Sequence, residues 1–275
     1  MSLLQALILG IVQGLTEYIP VSSSAHLVLV PWALGWEFEP NAAFAFDVLV
    51  QMGTLVAVVV YFWKDLLHMS RAVLQAVRER SVIQDPYVRL AGWIVLGTVP
   101  AVIAGLALKD TVESAFGSPV ATSAFLLVTA TLLLIAERIG KRLRPLESLT
   151  WKDAVWIGLA QAVSIFPGIS RSGASISAGL ICGLDRPSAA RFSFLLSIPV
   201  MIGAGGLALA DLASLPSAAS FAPAVAVGFV SAAVVGYASI RWMLGFVTRH
   251  SLAVFSAYCA IIGLLGLGLG LIRGG

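Results

Sequence analysis

The sequence predicts an all-α polytopic membrane protein, with six transmembrane helices and two re-entrant helix pairs in an inverted-topology repeat. Three observations predict this fold. Of the 275 residues, 59% are hydrophobic and only 11% are charged, whereas soluble domains carry roughly 25% charged residues. Six apolar stretches are long enough to span a bilayer. Two further apolar stretches are each interrupted in the middle by proline and serine. The net charge of +3 is small and does not indicate nucleic acid as a partner.

The six uninterrupted stretches are predicted to span the membrane, because a spanning helix needs about 20 mostly apolar residues. They are too apolar to be amphipathic helices of a soluble protein. Their ranges are 46–63, 90–108, 119–137, 192–210, 222–240 and 252–272.

The two interrupted stretches are residues 3–36 and 153–184, and each is predicted to form a half-helix, a turn and a second half-helix. The first is broken at 20–24 by Pro-Val-Ser-Ser-Ser, and the second at 167–173 by Pro-Gly-Ile-Ser-Arg-Ser-Gly. Irregular backbone at membrane depth is tolerated only where protein or a water-filled cavity surrounds it. Each break is therefore a candidate site.

The basic residues alternate between the predicted loops. Segments 64–89, 138–152 and 241–250 hold twelve of the 17 lysines and arginines, whereas segments 1–45, 109–118 and 211–221 hold only Lys109. The positive-inside rule places the first set in the cytoplasm and the second set outside. The first broken segment then enters from outside and returns there, the second enters from the cytoplasm and returns there, and both termini lie outside.

The two halves of the chain resemble each other. Residues 10–16 (GIVQGLT) are similar to residues 158–164 (GLAQAVS), and each stretch leads to a proline and a cluster of serines. The sequence therefore predicts a first repeat over 1–137, a cytoplasmic linker over 138–152 and a second repeat over 153–275. Because inverted repeats with broken helices place their sites near the midplane, the tips of the two broken segments are expected to meet.

The first break carries candidate acid–base and hydroxyl groups. Gln13 and Glu17 are four residues apart and share one helix face. Ser23 and His26 are three residues apart, so both face the same ligand. Hydroxyl side chains at the start of the second half-helix cap free N–H groups, and a helix N-terminus favours an anion. The capping candidates are Ser22, Ser23 and Ser24, and Ser22 and Ser24 are also candidate ligands of a substrate phosphate.

The second break carries candidate phosphate ligands. Arg171 supplies a guanidinium that matches phosphate geometry, and glycine lets the backbone approach a ligand closely. The neighbouring donors are Ser170, Ser172 and Gly173. Arg171 is also suited to a structural ion pair with Glu17 across the repeat. Together the two clusters suit hydrolysis of a phosphate ester or anhydride next to lipid.

At these two clusters the sequence resembles the undecaprenyl-diphosphatase family, also called bacitracin-resistance proteins. The first family motif reads roughly (E/Q)GxTEFxPxSSxGH, and residues 13–26 read QGLTEYIPVSSSAH. The second motif, PGxSRSG, is matched in full at 167–173. The resemblance runs over nearly the whole chain.

The resemblance implies a bacterial inner-membrane phosphatase. It implies conversion of a C55 polyprenyl diphosphate to the monophosphate and inorganic phosphate, which recycles the carrier lipid of cell-wall synthesis. Glu17, Ser23, His26 and Arg171 are then the catalytic residues. The expected partners are the polyprenyl diphosphate, the bilayer and a second copy in a homodimer.

The resemblance also implies a divalent cation, Mg²⁺ or Ca²⁺, with Gln13 and Glu17 as candidate ligands and no organic cofactor. Two positions depart from the family pattern. Gln13 stands where some members have a second glutamate, which predicts weaker metal binding, and Ala25 stands where glycine is usual.

The residues leave two interpretations and three nucleophiles open. As a phosphatase, the chain uses Glu17 or His26 to deprotonate Ser23, although direct attack by water or by His26 fits the sequence as well. Inverted repeats with broken helices also occur in transporters, so the alternative is a transporter or flippase of an anionic polyprenyl phosphate lipid. A transporter needs an anion site but no nucleophile, and the combination of Ser23, His26 and Glu17 therefore favours the enzyme.

Overall fold

The fold is entirely helical in the computed structural model, which describes residues 1–79, 85–108, 111, 112, 115, 117–213 and 218–273, with the side chains of 40–42, 44, 207–213 and 218–221 left out. The helices of the first half are α1 Leu3–Thr16, α2 Ser23–Leu34, α3 Pro40–Tyr61, α4 Trp63–Glu79, α5 Pro86–Ala107 and α6 Pro119–Ile139. Those of the second half are α7 Trp151–Val163, α8 Arg171–Ile181, α9 Arg186–Ala213, α10 Ala218–Val247 and α11 Ala253–Arg273.

Five helices of the described part are long and apolar enough to cross a membrane: α5, α6, α9, α10 and α11. They coincide with five of the six predicted spans. The sixth prediction, 46–63, falls on α3, which bends by 71° into α4 and counts as a span only if the bent pair is taken together. The chain is therefore a multi-pass membrane protein with five or up to six candidate spans.

Helix α4 occupies most of the segment that the charge pattern assigns to a cytoplasmic link. Its exposed apolar side chains lie on one stripe: Trp63, Leu67, Leu74 and Val77. Its basic residues, Lys64, Arg71 and Arg78, lie beside that stripe at helical spacing. The sequence does not predict this helix as an apolar segment, because the polar face of an amphipathic helix lowers its average hydropathy. Arg80, Lys109 and parts of the links 109–118 and 211–221 lie outside the described residues.

Both breaks lie where proline, glycine and serine predict them. In the first, Ser22 caps α2 by accepting a hydrogen bond from the Ala25 N–H at 3.3 Å, and its φ of 68° turns the chain sharply. In the second, Ser170 caps α8 by accepting from the Gly173 N–H at 3.0 Å. Gly168 has a φ of 103°, a conformation that glycine adopts without a steric penalty. Local chemistry alone therefore explains where the apolar segments stop being helical.

The two halves interlock instead of packing as separate lobes. Helix α1 of the first half packs along α10 of the second, and α7 of the second half packs along α5 of the first. Both contacts are made through glycine: Gly10 and Gly14 face the backbone of α10, and Gly158 faces Gly97 of α5. Small residues allow helices in a membrane to approach closely. Each broken segment is therefore held by a helix of the other repeat.

We expect Gly158→Ala to lower the melting temperature of the purified protein by about 5 °C, because overpacking a tight contact costs roughly 1–3 kcal/mol. A Cβ at this position would overlap the carbonyl group and Cα of Gly97. Gly92→Ala in α5 is the matched control, since a Cβ there meets nothing within 4 Å. Thermal unfolding in detergent measures both. Equal melting temperatures for the two variants would show that the α5–α7 contact relaxes without cost.

The linker between the halves is fixed by ion pairs. The Arg144 guanidinium donates to Asp153 Oδ2 at 2.7 Å, to the Ser148 carbonyl at 2.7 Å and to the Cys182 carbonyl at 2.8 Å. The buried Glu137 carboxylate accepts from Arg142 and Arg186 at 2.6 and 2.7 Å, and also from the Leu252 N–H at 2.8 Å. These contacts join the ends of several helices on the basic side of the molecule.

Candidate active site

The site centres on the carboxylate of Glu17, which lies immediately after α1 and is only 5% exposed. Gln13, one turn earlier, donates its side-chain N–H to Glu17 Oε2 at 2.7 Å. The same amide lies 3.4 Å from the Thr54 hydroxyl of α3, and the Tyr18 hydroxyl donates to the Thr54 carbonyl at 2.9 Å. The end of α1 is therefore fixed against α3.

Glu17 joins the two broken segments. Its Oε2 accepts a hydrogen bond from Ser23 Oγ at 2.6 Å, and its Oε1 forms an ion pair with Arg171. Ser23 is the first residue of α2 and Arg171 is the first residue of α8. The Ser172 hydroxyl also donates to the Ile19 carbonyl at 3.3 Å. The two tips meet as the inverted repeat predicts, and one carboxylate bridges the starts of both second half-helices.

The loops are also held from the last helix of the opposite repeat. Thr129 of α6 donates its hydroxyl to the Gly168 carbonyl at 2.8 Å and accepts the Ser170 N–H at 2.9 Å. In the other half, the Cys259 thiol of α11 lies 3.7 Å from the Pro20 carbonyl. The two loops therefore have similar supports, although neither Thr129 nor Cys259 stands out in the sequence.

Two of the four serines predicted as phosphate ligands have their hydroxyls engaged in capping, and the other two contact those hydroxyls. Ser22 and Ser170 cap their helices, and their Oγ atoms lie 3.2 Å from those of Ser24 and Ser172. The Gly173 N–H donates to Ser170. The first two backbone N–H groups of α2 and of α8 have no hydrogen-bond partner within the described residues. Free N–H groups at a helix N-terminus favour an anion, so the backbone of both helices is the better-placed anion ligand.

His26 is held away from the other three predicted catalytic residues. Its Nδ1 lies 2.7 Å from the Ser22 carbonyl and its Nε2 lies 2.7 Å from the Tyr258 hydroxyl of α11. Within the described part of the chain, no hydrogen bond links His26 to Glu17, Ser23 or Arg171. The structure therefore brings together Glu17, Ser23 and Arg171, and places His26 on the next turn of α2 with its own partners.

The arrangement provides a nucleophile and a base in contact. A carboxylate 2.6 Å from a serine hydroxyl accepts that proton directly. The other carboxylate oxygen holds the Arg171 guanidinium, and the planar fork of a guanidinium matches two oxygens of a phosphate. Arg171 Nη2 also lies 3.2 Å from the Met201 sulfur of α9, which limits the side chain to a few orientations.

Five site residues escaped the sequence prediction: Tyr18, Thr54, Thr129, Met201 and Tyr258. Each belongs to an apolar segment or borders a predicted motif. A hydroxyl group inside a predicted span is the one sequence feature that could have indicated these residues, since such a group needs a hydrogen-bond partner in lipid. That signal is shared by many serines and threonines of this chain and does not rank them.

The family model described as bacitracin resistance protein BacA matches residues 6–265. The chain belongs to the bacitracin resistance protein BacA family. The match covers the breaks of both apolar segments and all the long apolar helices except the last turns of α11.

Curated relatives align over almost their whole length. An undecaprenyl-diphosphatase of Rubrobacter xylanophilus is 45% identical over 258 residues, which cover 94% of this chain and 94% of the relative. An undecaprenyl-diphosphatase of Chlorobaculum tepidum is 42% identical, and the alignment covers 96% of this chain and 95% of the relative. One of Methanosphaera stadtmanae is 40% identical, and the alignment covers 96% of this chain and 97% of the relative.

The divalent cation that the family resemblance implies does not fit the donors around Glu17 as they are arranged. The carboxylate is surrounded by the Gln13 amide, the Ser23 hydroxyl and the Arg171 guanidinium. Gln13 presents its nitrogen, which does not bind a metal. A cation on Glu17 must therefore displace at least one of these donors. Within the described residues, no group of three or more His, Cys, Asp and Glu side chains is placed to hold a metal ion.

Proposed function

We propose that this protein hydrolyses undecaprenyl diphosphate to undecaprenyl phosphate and inorganic phosphate, as its curated relatives are named for doing. The observation that carries the proposal is the Glu17 carboxylate, which holds the Ser23 hydroxyl at 2.6 Å on one oxygen and Arg171 on the other. The proposed nucleophile, Ser23, and the phosphate-binding cation, Arg171, thus both contact the proposed base, Glu17, where the two loops meet.

In the first step, Ser23 Oγ attacks the terminal phosphorus and its proton passes to Glu17. The bond between that phosphorus and the bridging oxygen breaks. Undecaprenyl phosphate departs and a phosphoserine remains. Because the leaving group is a phosphate monoester, its bridging oxygen departs as a stabilised anion and needs no acid.

The same proton transfer makes Arg171 available to the substrate. Glu17 loses its charge when it takes the proton from Ser23, and the ion pair with Arg171 weakens as a result. The guanidinium then binds the phosphoryl oxygens, whose charge it stabilises in the transition state. Arg171 therefore pairs with Glu17 before the reaction and with the phosphoryl group during it.

In the second step, water attacks the phosphoserine. Glu17 now carries a proton, so it serves as the acid that returns this proton to Ser23 Oγ when the P–Oγ bond breaks. Another base must take the proton of the attacking water, and His26 is the remaining candidate. The products are inorganic phosphate, free Ser23, the Glu17 carboxylate and a His26 imidazolium, which releases its proton to water.

The transporter interpretation is not favoured. Anion transport needs the guanidinium and the helix N-termini but gives no role to a serine held against a buried carboxylate. The family of this chain and the names of its relatives also favour hydrolysis.

We place the protein in the bacterial inner membrane with both termini outside, as the distribution of lysine and arginine predicts. From the family resemblance we favour access to the site from the outer side, where the carrier diphosphate is released. Cysteine labelling at positions 2 and 38 tests this topology. Labels that react from opposite sides of the membrane would show that residues 1–36 cross it. The homodimer remains a prediction.

The decisive experiment measures phosphate release from undecaprenyl diphosphate by detergent-purified protein. Release at an enzymatic rate supports the proposal, whereas binding without release supports the transporter. The same assay with EDTA and with added Mg²⁺ or Ca²⁺ tests the cation predicted at Gln13 and Glu17. A stimulation that Gln13→Glu increases supports that placement, and one that it leaves unchanged places the cation elsewhere.

A further inference from the structure

A tyrosine of the last helix completes the surroundings of His26. The Tyr258 hydroxyl lies 2.7 Å from His26 Nε2. The two rings are nearly parallel, with an interplanar angle of 9° and centroids 5.7 Å apart. Tyr258 is 40% exposed, whereas His26 is 8% exposed. The tyrosine is therefore the less buried member of the pair.

The hydrogen bonds of His26 fix which nitrogen carries the proton. The Ser22 carbonyl lies 2.7 Å from Nδ1, and a carbonyl oxygen only accepts, so Nδ1 carries the hydrogen. In the neutral ring Nε2 then has the lone pair and accepts from the Tyr258 hydroxyl. His26 is consequently a base at Nε2, and the only group that reaches this nitrogen among the described residues is the tyrosine.

The position of Tyr258 is tied to the first loop. The next residue, Cys259, is buried and lies against the Pro20 carbonyl. Helix α11 therefore contacts both the tip of the loop and the imidazole that follows it. A shift of α11 would displace the contact of Cys259 with Pro20 and the contact of Tyr258 with His26 together. The position of Tyr258 is therefore coupled to that of the first loop.

We propose that Tyr258 is the proton relay between His26 and the water that hydrolyses the phosphoserine. This inference rests on the proposed function and extends its second step. The attacking water gives its proton to the Tyr258 oxygen while the Tyr258 hydrogen moves to His26 Nε2. The water oxygen bonds to phosphorus, the P–Oγ bond breaks, and Oγ takes the proton held by Glu17. The imidazolium then releases its proton to water, and Tyr258 ends as it began.

The relay predicts a defect in one step only. In Tyr258→Phe, formation of the phosphoserine is expected to be unchanged and its hydrolysis about 100-fold slower, the lower end of the range for loss of one proton-transfer group. The phosphoenzyme then accumulates, kcat and KM fall together, and kcat/KM stays near the wild-type value. A loss of packing would instead lower kcat/KM.

The experiment uses terminally ³²P-labelled polyprenyl diphosphate with acid quenching, and measures the labelled protein and its decay in a chase. Tyr237→Phe is the matched control, since Tyr237 is 41% exposed, its ring packs on Tyr61, and its hydroxyl has no hydrogen-bond partner among the residues that the structure describes. Lack of accumulation in Tyr258→Phe, or a fall in kcat/KM equal to that in kcat, overturns the relay. A wild-type protein that releases no phosphate overturns the proposed function itself.

A second measurement does not depend on the folding of Tyr258→Phe. With the exposed His68 and His250 replaced by glutamine, His26 is the one histidine of the chain. Nitrogen-15 spectra of the labelled imidazole are expected to show protonated Nδ1 and unprotonated Nε2 at neutral pH. A proton on Nε2 instead would remove the base that the relay needs.

Discussion

Replacing Ser23 with alanine is expected to lower kcat at least about 1000-fold, as the loss of a nucleophile does in other covalent mechanisms. The Ser23 hydroxyl is the group that Glu17 holds at 2.6 Å, and no other hydroxyl contacts this carboxylate within the described residues. Binding of a non-hydrolysable polyprenyl diphosphonate should stay within a few-fold of wild type, because the free N–H groups at the starts of α2 and α8 remain.

The control for this variant is Ser70→Ala, which makes the same chemical change at an exposed position of α4. The phosphoenzyme also identifies the nucleophile, since a phosphoserine survives acid and a phosphohistidine does not. Near-normal turnover of Ser23→Ala would remove Ser23 as the nucleophile. An acid-labile intermediate would then assign the role to His26, and no intermediate at all would assign it to water.

Replacing Arg171 with lysine is expected to lower kcat roughly 100- to 1000-fold, nearly as much as replacement with alanine. The guanidinium binds two oxygens in one plane, and in the resting structure one of its nitrogens contacts both Glu17 and the Met201 sulfur. A lysine keeps the charge but loses the fork, and it must stay protonated at a largely buried position.

Arg191→Lys in α9 is the matched control, because Arg191 forms a more exposed ion pair with Asp65 at 2.5 Å. Kinetics on polyprenyl diphosphate and thermal unfolding separate a loss of catalysis from a loss of fold. Turnover close to wild type in Arg171→Lys would mean that a point charge suffices, and the two-oxygen contact would then have no part in the rate.

The residue types around each position were sufficient to predict where the two apolar segments are broken. Proline, glycine and serine at 20–24 and 167–173 interrupt apolar segments where α2 and α8 begin at Ser23 and Arg171. The repeat predicted that the tips meet, and the ion pair between Glu17 and Arg171 confirms it. These features follow from short-range sequence, where the cost of irregular backbone in lipid is decisive.

Contacts between residues far apart in the chain could not be predicted from the sequence. The packing of α1 on α10 depends on glycines that many other spans also contain. The sequence placed His26 with Ser23 by helical spacing, but the partner of its Nε2 is Tyr258, 232 residues further along the chain. The predicted phosphate ligands Ser22, Ser170 and Ser172 were correctly recognised as helix-opening residues. Their hydroxyls, however, are already engaged in the caps and loop contacts.

The interlocking of α1 with α10 imposes an order on the synthesis of this protein. Residues of α1 leave the ribosome first, and α10 follows only after all the intervening helices, an interval on the order of ten seconds or more at typical elongation rates. Until then Gly10 and Gly14 lack their protein neighbour, whereas Arg171, the partner of Glu17, is synthesised before α10. The close contact of α1 with α10 is therefore among the last helix contacts to form, although α1 is the first helix to be synthesised. We expect nascent chains that stop before α10 to leave the face of α1 that carries Gly10 and Gly14 without its protein neighbour.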